Sequence, residues 1–521
     1  MFKKLVFATF FITLMCVTTT IFAYDVPEMI RVGLSFDNEA VNSFEVTVEG
    51  GAVVGHVLDY DFVPHFKINS SKMLVEKGGG AYLRTKNTYD KVEDALDDAQ
   101  KFSTRDANAY VGYIDKQYYV LFGIYDSQDD AKNAIEELGY TNLDLVPISL
   151  DTKAVMVTAD EFCLVFRDES EMFAIGSAQQ KTLSTGGRKY YGYIAADRIH
   201  TDKIAIINLV ATDDYVACVV GSEMYSTWHI EALKAQAVIA RTYAMTTTNY
   251  KKYGIDVTDD TRSQAYNGLS SETPSTRRAA DETAGLILLY KDKPAQTFFH
   301  ASSGGKTADV YSAWGGGAGL DYLKSVEDTY ENSEKYALWS VTYTADEIKN
   351  KLAKAGINIG NITNVVVTER GDDDERVRKL RFDGTDGSHS VTFEKCRTLL
   401  GLKSQYYYIR GASTSAEEKK VSVLTGSGTK QIYINKSSVL GANGTKLLPY
   451  SASVISAFET IILNRTNDEH QNTPSGSFTF EGRGHGHGIG LSQYGAKGMA
   501  EAGFSYDEIL MHYYNGTSLS K

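Results

Sequence analysis

A glycine-spaced segment near the carboxyl end, GRGHGHGIGLSQYGAKG at residues 482–498, most constrains the fold of this chain. Glycine loses more backbone entropy on ordering than other residues. A segment this rich in it is therefore explained where the backbone adopts positive φ angles or closely approaches a ligand. Its glycines hold Arg483, His485, His487 and Gln493 close together. The segment therefore predicts the floor of a binding site.

The composition is that of a large globular protein. The chain has 521 residues, 43% hydrophobic and 23% charged, which is enough for a large core and about two or three domains. The formal net charge of −13 argues against nucleic acid or an anionic membrane as the main partner, because such partners need a basic face. The 34 tyrosines and 22 phenylalanines supply many rings on which sugars can stack.

Residues 1–23 have the pattern of a targeting segment. Two lysines precede an apolar run that extends to about Val17, and the segment ends at the small residue Ala23. This pattern predicts a secretory signal peptide, with an uncleaved single-span anchor as the alternative. The rest of the chain is expected outside the cytoplasm, with membrane contact only through this segment if it is not removed. With only four cysteines in the chain, disulfides are not expected to form the scaffold.

The next two regions differ in their periodicity. Residues 24–105 contain short apolar segments typical of strands and predict a β-rich region. Residues 106–150 show a strand, a polar turn, an amphipathic helix, a glycine and a second strand. Their order, YYVLFGIYDSQDDAKNAIEELG, resembles the SPOR peptidoglycan-binding domain. The resemblance implies a small βαβ SPOR-like module, with an ordinary βαβ insertion as the alternative.

The remaining chain divides into three parts. Residues 185–412 mix strands with one strong Ala-rich helix, predicted from residue 229 to about residue 247, in which apolar residues recur at helical spacing. Residues 413–474 predict an inserted lobe or connection built from short strands. Residues 475–521 carry the glycine-spaced segment and a helical hairpin, whose second helix begins with a Ser-x-x-Glu capping box at Ser505.

Ordered motifs between residues 208 and 517 resemble the SpoIID/LytB family, named for stage II sporulation protein D. The longest is NLVATDDYVACVVGSEMYSTWHIEALKAQAVIARTYAM, which begins at Asn208. Further along the chain come DTRSQAY, ETAG, FHASSGGKT, YLKSV, GHGHGIGLSQYGAKGMA and YYNGT. Several motifs in a fixed order are a specific signal, whereas GHGHG alone is not.

The resemblance implies an α+β fold: a mixed, β-rich SpoIID-like catalytic domain with the long Ala-rich helix and the C-terminal helical hairpin. It also implies a lytic transglycosylase that acts on peptidoglycan glycan strands stripped of stem peptides, in cell-wall remodelling, with sporulation as one setting. The catalytic acid then falls on Glu223. Because the preceding apolar run at residues 216–220 looks like a strand, Glu223 is expected to project from a connecting segment into a cleft.

The chemistry explains why one carboxyl group suffices. A glycosidic oxygen is a poor leaving group until it is protonated, so the acid must be held neutral beside it. Ordinary glycosidases need a second carboxylate. In a lytic transglycosylase the C6 hydroxyl of muramic acid is the nucleophile, so Glu223 serves first as acid and then as base.

Other residues are candidates for substrate contacts, each with an ordinary structural role as its alternative. Arg241 is expected to bind the lactyl carboxylate of muramic acid or to orient Glu223. His485 and His487 alternate with glycines, so both are expected on one side of an extended strand. The turn at Gly304 is expected to bind an acetamido oxygen through its amides. The remaining candidates are Gln264, Tyr266, His300, Ser303, Arg483, Gln493 and Tyr494.

No cofactor or metal is expected, because the chain has neither a CxxC nor an HExxH pattern and no cysteine near Ser303. The expected partners are peptidoglycan glycan strands and a cell-wall amidase. The main alternative function is a non-catalytic glycan-binding protein that enhances such an amidase. An amidase itself is disfavoured, because the sequence offers neither zinc ligands nor an activated cysteine.

Overall fold

The computed structural model describes residue 24 and residues 26–103, 109–137, 144–150, 153–160, 162–179, 182–198, 203–316, 320–331, 333, 336, 338–411 and 476–521. Between residues 420 and 464 it describes the backbone of six short strands. The targeting segment predicted at residues 1–23 lies outside the described residues. In the part of the chain that is described, no helix is both long and apolar enough to span a membrane.

The first part of the chain, up to residue 211, is mostly β-structure, as the sequence predicts for its amino-terminal region. Its described helices are α1 (Val92–Ser103) and α2 (Gln128–Glu137). Its described strands are β1 (Met29–Ser35), β2 (Ser43–Val48), β3 (Ala52–Leu58), β4 (Asp61–Ile68), β5 (Lys72–Lys77), β6 (Gly80–Thr85), β7 (Ala109–Ile114), β8 (Gln117–Tyr125), β9 (Leu145–Leu150), β10 (Val155–Ala159), β11 (Phe162–Arg167), β12 (Met172–Ser177), β13 (Leu183–Thr185), β14 (Arg188–Tyr190), β15 (Tyr193–Asp197) and β16 (Ala205–Ala211).

The second part mixes helices and strands, in keeping with an α+β protein. Its described helices are α3 (Thr212–Glu223), α4 (Ile230–Thr246), α5 (Pro274–Glu282), α6 (Val310–Trp314), α7 (Ala345–Lys354), α8 (Lys395–Thr398), α9 (Gln493–Glu501) and α10 (Tyr506–Tyr513). Its described strands are β17 (Val257–Thr258), β18 (Ile287–Tyr290), β19 (Lys293–Pro294), β20 (Phe299–His300), β21 (Trp339–Thr344), β22 (Ile362–Arg370), β23 (Val377–Gly384), β24 (Gly387–Thr392), β25 (Tyr407–Gly411), β26 (Lys420–Thr425), β27 (Gly428–Tyr433), β28 (Ser438–Gly441), β29 (Gly444–Leu447), β30 (Ser451–Ile455), β31 (Thr460–Asn464), β32 (Ser477–Gly482), β33 (Leu491–Ser492) and β34 (Ser518–Ser520).

One sheet joins the amino-terminal strands to those that lead into the predicted catalytic region. Its described strands lie in the order β17-β1-β16-β15-β12-β3-β4. Strand β1 pairs antiparallel with β16, with Met29 opposite Ala211, and parallel with β17, with Val32 opposite Val257. Strands β12 and β15 also pair. The boundary predicted at residue 185 therefore falls between two paired strands of one sheet.

Residues 80–150 contain the module predicted to begin at residue 106. The predicted strand, helix and second strand are present as β8, α2 and β9. Strand β6 and helix α1 precede them, so the described order is strand, helix, strand, strand, helix, strand, with the strands side by side as β7-β8-β6-β9. Helix α1 buries Val92, Ala95 and Ala99, a three- and four-residue spacing that marks one face of a helix. The SPOR resemblance stays a prediction.

The main hydrophobic core is continuous from Ile30 in β1 to Tyr514 after α10. Helices α3 and α4 cross it, and Val216 to Val220 of α3 are completely buried. The strand suggested at residues 216–220 is therefore wrong. A helix that is buried all round is apolar all round and loses the periodicity by which helices are recognised. The segment predicted as an Ala-rich helix from residue 229 contains α4, Ile230–Thr246.

A second core lies in residues 339–411 together with β32. Strand β32 is the middle strand of a three-stranded sheet, between β21 and β25. Because β32 ends at Gly482, this sheet fixes the point at which the glycine-spaced segment begins. The six strands of residues 420–464 pair as three hairpins.

Candidate functional site

Glu223 is the last residue of α3, so a helix positions it rather than the connecting segment expected from the sequence. The helix approaches the turn at residues 268–271 so closely that a Cβ at Gly221 would lie 1.9 Å from the Ser271 carbonyl oxygen. The hydroxyl of Ser222 bonds Ser271 Oγ at 2.9 Å and accepts the Asn267 N–H at 3.1 Å. The carboxyl end of α3 is thereby fixed to the loop that faces it.

The Glu223 carboxyl is partly buried and is held by two donors. The Ala265 N–H donates to Oε1 at 2.7 Å. The Gln493 amide bonds the Glu223 side chain, and its Nε2 lies 3.3 Å from the Glu223 carbonyl oxygen. Burial raises the pKa of Glu223, and the Ala265 and Gln493 hydrogen bonds partly offset that rise. The raised pKa keeps the Glu223 carboxyl protonated at a higher pH than that at which an ordinary glutamate ionises.

Gln264 and Tyr266 were predicted to contact substrate, and the structure places both in the core instead. Gln264 donates to the Tyr215 hydroxyl at 3.0 Å and to the Ala240 carbonyl at 3.2 Å. The Tyr266 hydroxyl donates to Asn208 Oδ1 at 2.7 Å. Gln264 and Tyr266 flank Ala265 in the chain, and the Ala265 N–H between these two anchors is the one that donates to Glu223. Their role is to position that donor.

Arg241 was predicted to bind a substrate carboxylate, and the structure corrects this because its side chain is 0% exposed. Its Nη2 bonds Asp213 Oδ1 of α3 at 2.7 Å, and its Nη1 bonds the Leu286 carbonyl at 3.1 Å. The salt-bridged alternative therefore holds. Arg241 fixes α3 against α4, at the end of α3 opposite to Glu223.

The glycine-spaced segment is not an extended strand. Gly484, Gly486, Gly488 and Gly490 have φ angles of 77°, 110°, 85° and 70°, in the region that favours glycine. The backbone therefore turns repeatedly, and the two histidines that alternate with these glycines enter different surroundings.

His487 lies among Phe298, His300 and Trp314, with its ring centroid 5.2 Å from that of Trp314. Its Nδ1 accepts the Ile489 N–H at 3.0 Å, and burial lowers its pKa to about 3. His300 is buried, with Nδ1 3.1 Å from the Ile489 carbonyl oxygen. Both histidines shape the loop from inside, contrary to the predicted substrate contacts.

The turn that begins at Ser302 holds a protein carboxylate instead of the predicted acetamido group. Glu331 accepts hydrogen bonds from both serine hydroxyls, Ser302 and Ser303, and from the amides of Gly304 at 2.9 Å and Gly305 at 3.2 Å. Consecutive amides in such a turn form an anion-binding concavity. Ser303 is completely buried, so it does not face substrate.

Five rings form a continuous row beside Glu223, called the aromatic row below. Tyr225 and Trp228 are 5.7 Å apart between ring centroids, Trp228 and Tyr494 4.9 Å, Tyr494 and Tyr336 5.5 Å, and Tyr336 and His485 4.8 Å. The Tyr336 and His485 rings are stacked. The row brings together two predicted residues, His485 and Tyr494, and three that were not predicted.

Arg483 lies outside the aromatic row. Its guanidinium lies 4.0 Å from the ring centroid of Tyr406 and donates to the Tyr406 hydroxyl. The structure therefore groups Glu223, Gln493, Tyr494 and His485 and separates them from the other candidates. Tyr225 and Trp228 follow Glu223 directly in the sequence, and their proximity to the predicted acid was an available signal. No sequence signal pointed to the Ala265 amide, because every residue except proline has a backbone N–H donor.

Known proteins are similar to this chain over the region that contains Glu223. The SpoIID family, described as stage II sporulation protein, matches residues 200–290, which include Glu223 and Ala265. An amidase enhancer of Bacillus subtilis is 29% identical over 322 residues, covering 58% of this chain and 40% of that protein. Stage II sporulation protein D of B. subtilis is 27% identical over 328 residues, covering 60% of this chain and 75% of that protein.

An uncharacterized protein of Brachyspira hyodysenteriae is 27% identical over 342 residues, covering 65% of this chain and 74% of that protein. The chain spans about two fifths of the length of the amidase enhancer and about three quarters of the other two relatives. The similarity to all three is thus spread over more than half of this chain.

Proposed function

Since this chain belongs to the SpoIID/LytB family and has a role connected with the cell wall, we propose that it is a peptidoglycan lytic transglycosylase. It cleaves glycan strands to 1,6-anhydro-muramic ends during cell-wall remodelling, of which sporulation is one setting. The observation that carries the proposal is the Glu223 carboxyl, partly buried, with a raised pKa and two hydrogen-bond donors.

The reaction requires one proton to move twice. Glu223 gives its proton to the glycosidic oxygen as the bond to the anomeric carbon of muramic acid breaks. The resulting carboxylate takes the proton of the C6 hydroxyl as O6 bonds the same anomeric carbon. Glu223 is then protonated again, and no water is consumed. General acid–base catalysis of this kind contributes about 10²–10⁴-fold to the rate.

The residues around Glu223 serve both halves of this cycle. Burial favours the neutral acid before bond cleavage. The Ala265 N–H and the Gln493 amide stabilise the carboxylate formed afterwards, and both are already in position. A carboxyl group with a cation beside it would stay ionised and protonate the leaving group poorly.

The test is mass spectrometry of purified glycan strands incubated with the protein. The wild-type protein is expected to produce anhydro ends, whereas Glu223→Gln leaves the strands intact because glutamine has no acidic proton. Glu49→Gln is the control, since the Glu49 side chain is 82% exposed and lies far along the chain from the site. Anhydro ends produced equally by Glu223→Gln would refute the proposal.

A second candidate function is a non-catalytic glycan-binding enhancer of a cell-wall amidase, favoured by the name of the B. subtilis relative. The two functions separate in an amidase assay with added protein. An enhancer would stimulate the amidase equally well as wild type or as Glu223→Gln and would leave strands uncut. A transglycosylase would cut strands without any amidase.

The preference for strands without stem peptides remains part of the proposal but loses the support expected from Arg241. Rates on strands with and without stem peptides measure it directly.

Export is likewise proposed from the targeting pattern of residues 1–23. Cell fractionation of the full chain, compared with a chain that begins at Tyr24, tests export. The SPOR-like module is proposed as a second glycan contact, which would raise the local substrate concentration.

A further inference from the structure

We propose that the aromatic row binds successive sugars of the glycan by stacking on both sides of Glu223. Stacking, and not a cation, then supplies the main affinity. This inference rests on the proposed function only in taking a glycan as the ligand. Aromatic rings present flat apolar faces, and the C–H faces of pyranose rings pack against such faces.

The row is continuous, which suits a polymer better than a single small molecule. Each neighbouring pair of rings is in contact, with centroid separations between 4.8 and 5.7 Å. Trp228 meets Tyr494, and Tyr494 meets Tyr336, edge to face, whereas the Tyr336 and His485 rings cover one face of each other. Sugars would therefore contact the outer faces and edges that these ring contacts leave uncovered.

Glu223 is connected to the middle of the aromatic row through Gln493. Trp228 and Tyr494 form its second contact, and Gln493, the neighbour of Tyr494, bonds Glu223. Tyr225 extends the row on one side of this pair, and Tyr336 extends it on the other. The scissile bond would therefore have bound sugars on both sides, as cleavage inside a strand requires.

The outer end of the row is a built feature and not a loose surface ring. The backbone N–H of Trp228 donates to the backbone carbonyl of Tyr225 at 3.0 Å. This hydrogen bond closes a turn that brings the two rings together. Ser275 Oγ of α5 donates to the Ser226 carbonyl at 2.7 Å and anchors that turn. Trp228 packs against the main core. Yet Tyr225 is 59% exposed, so its side chain is accessible to a ligand.

Charge does not explain recognition in the way the sequence suggested. Arg241, the cation expected to bind the lactyl carboxylate, is fully buried and paired with Asp213. Binding through stacked rings should then vary little with salt, because screening weakens charge pairs and not apolar contacts. A neutral glycan should also bind.

The test uses the full chain carrying Glu223→Gln, so that bound strands stay whole, and neutral N-acetylglucosamine oligomers of increasing length. Calorimetry should show affinity that rises with oligomer length. Tyr225→Ala should weaken binding of the longer oligomers about tenfold, as expected when one apolar ring face is no longer buried against a sugar. Tyr225→Phe should bind as the parent does.

The matched control is Tyr311→Ala, because Tyr311 is 56% exposed but lies on α6, outside the row. It should leave affinity unchanged. Equal effects of Tyr225→Ala and Tyr311→Ala would overturn the proposal, as would no binding of any oligomer, or a loss in Tyr225→Phe as large as in Tyr225→Ala.

Failure of this inference can be told apart from failure of the proposed catalysis. If wild-type protein cuts strands and Tyr225→Ala leaves KM unchanged, the row is not the binding surface although the enzyme is real. If wild-type protein never cuts strands but the row variants lose binding, the binding surface stands and the catalysis does not.

Discussion

Two acidic side chains near the site, Glu223 and Glu331, have opposite surroundings. Glu331 accepts hydrogen bonds from four donors, two hydroxyls and two amides, in the turn at residues 302–305. Glu223 has one backbone N–H and one side-chain amide, and burial raises its pKa. Saturation with donors makes a carboxylate a structural clamp, whereas a shortage of donors keeps a carboxylic acid reactive.

The difference shows how one protein uses the same side chain for two tasks. The Glu331 clamp ties its own segment to the turn beside the glycine-spaced loop. The buried Asp328 on the same segment accepts from the Tyr513 hydroxyl at 2.8 Å, and its Oδ2 lies 2.8 Å from Ser303 Oγ. The hydrogen bonds to Glu331 therefore stabilise the fold, whereas burial makes the ionisation of Glu223 unfavourable.

The largest expected effect tests the clamp. Glu331→Ala leaves buried hydroxyls and amides without their acceptor, so the free energy of unfolding in urea should fall by about 2–4 kcal/mol. Glu327→Ala is the control, because Glu327 is 66% exposed and pairs only with Lys306 among the described residues. Its effect should stay below about 0.5 kcal/mol. Equal losses of unfolding free energy in Glu331→Ala and Glu327→Ala would contradict the stabilising role assigned to Glu331.

The next effect tests the cost of ionising Glu223. A folded-state pKa raised above the unfolded value favours the fold at low pH, and this contribution is lost as pH rises through the folded pKa. Glu223→Gln cannot ionise, so it should gain stability relative to wild type as pH rises. The gain should be about 1.4 kcal/mol for each tenfold difference between the folded and unfolded acid dissociation constants. Urea unfolding at acidic and neutral pH measures it.

A stability difference between wild type and Glu223→Gln that stays constant with pH would contradict this account. Glu49→Gln serves again as the reference, because its exposed carboxyl should give no such trend. A trend of opposite sign, with glutamine more favourable at low pH, would show that the fold stabilises the Glu223 carboxylate instead of the neutral acid.

The smallest effect tests the donor shared with the glycine-spaced segment. The Gln493 hydrogen bond lowers the pKa of Glu223, so Gln493→Leu should raise that pKa. Activity that needs protonated Glu223 should then persist to higher pH, with the basic limb displaced by less than about one pH unit. The pH dependence of kcat/KM measures it, with Gln117→Leu, at an exposed position, as control. An unmoved limb would show that Gln493 only binds substrate.

Much of the local structure could be predicted from the sequence. Helix α4 begins within one residue of its predicted start, and the capping box predicted at Ser505 is present at the start of α10. Both rest on short-range rules of apolar spacing and end-capping. Glu223 was identified through its family motif, and the direction of its pKa change agrees with the predicted role of acid. That role itself stays a proposal.

The errors share one cause, which is burial. Helix α3 looked like a strand because every face of it is covered. Arg241, Gln264 and Tyr266 looked like ligands for substrate because polar residues within a motif suggest a site. Here their hydrogen bonds hold α3, α4 and β16 together with the segment around Ala265.

The sequence by itself determined the family, the α+β class, Glu223 as the candidate acid and the need for unusual backbone angles in the glycine-spaced segment. Only the tertiary structure decided which candidate side chains are buried, that Glu331 fills the turn at Ser302, and that rings from three separate segments form one row. The physical reason is that hydrogen-bond partners and ring contacts join residues far apart in the chain, and no local pattern encodes them.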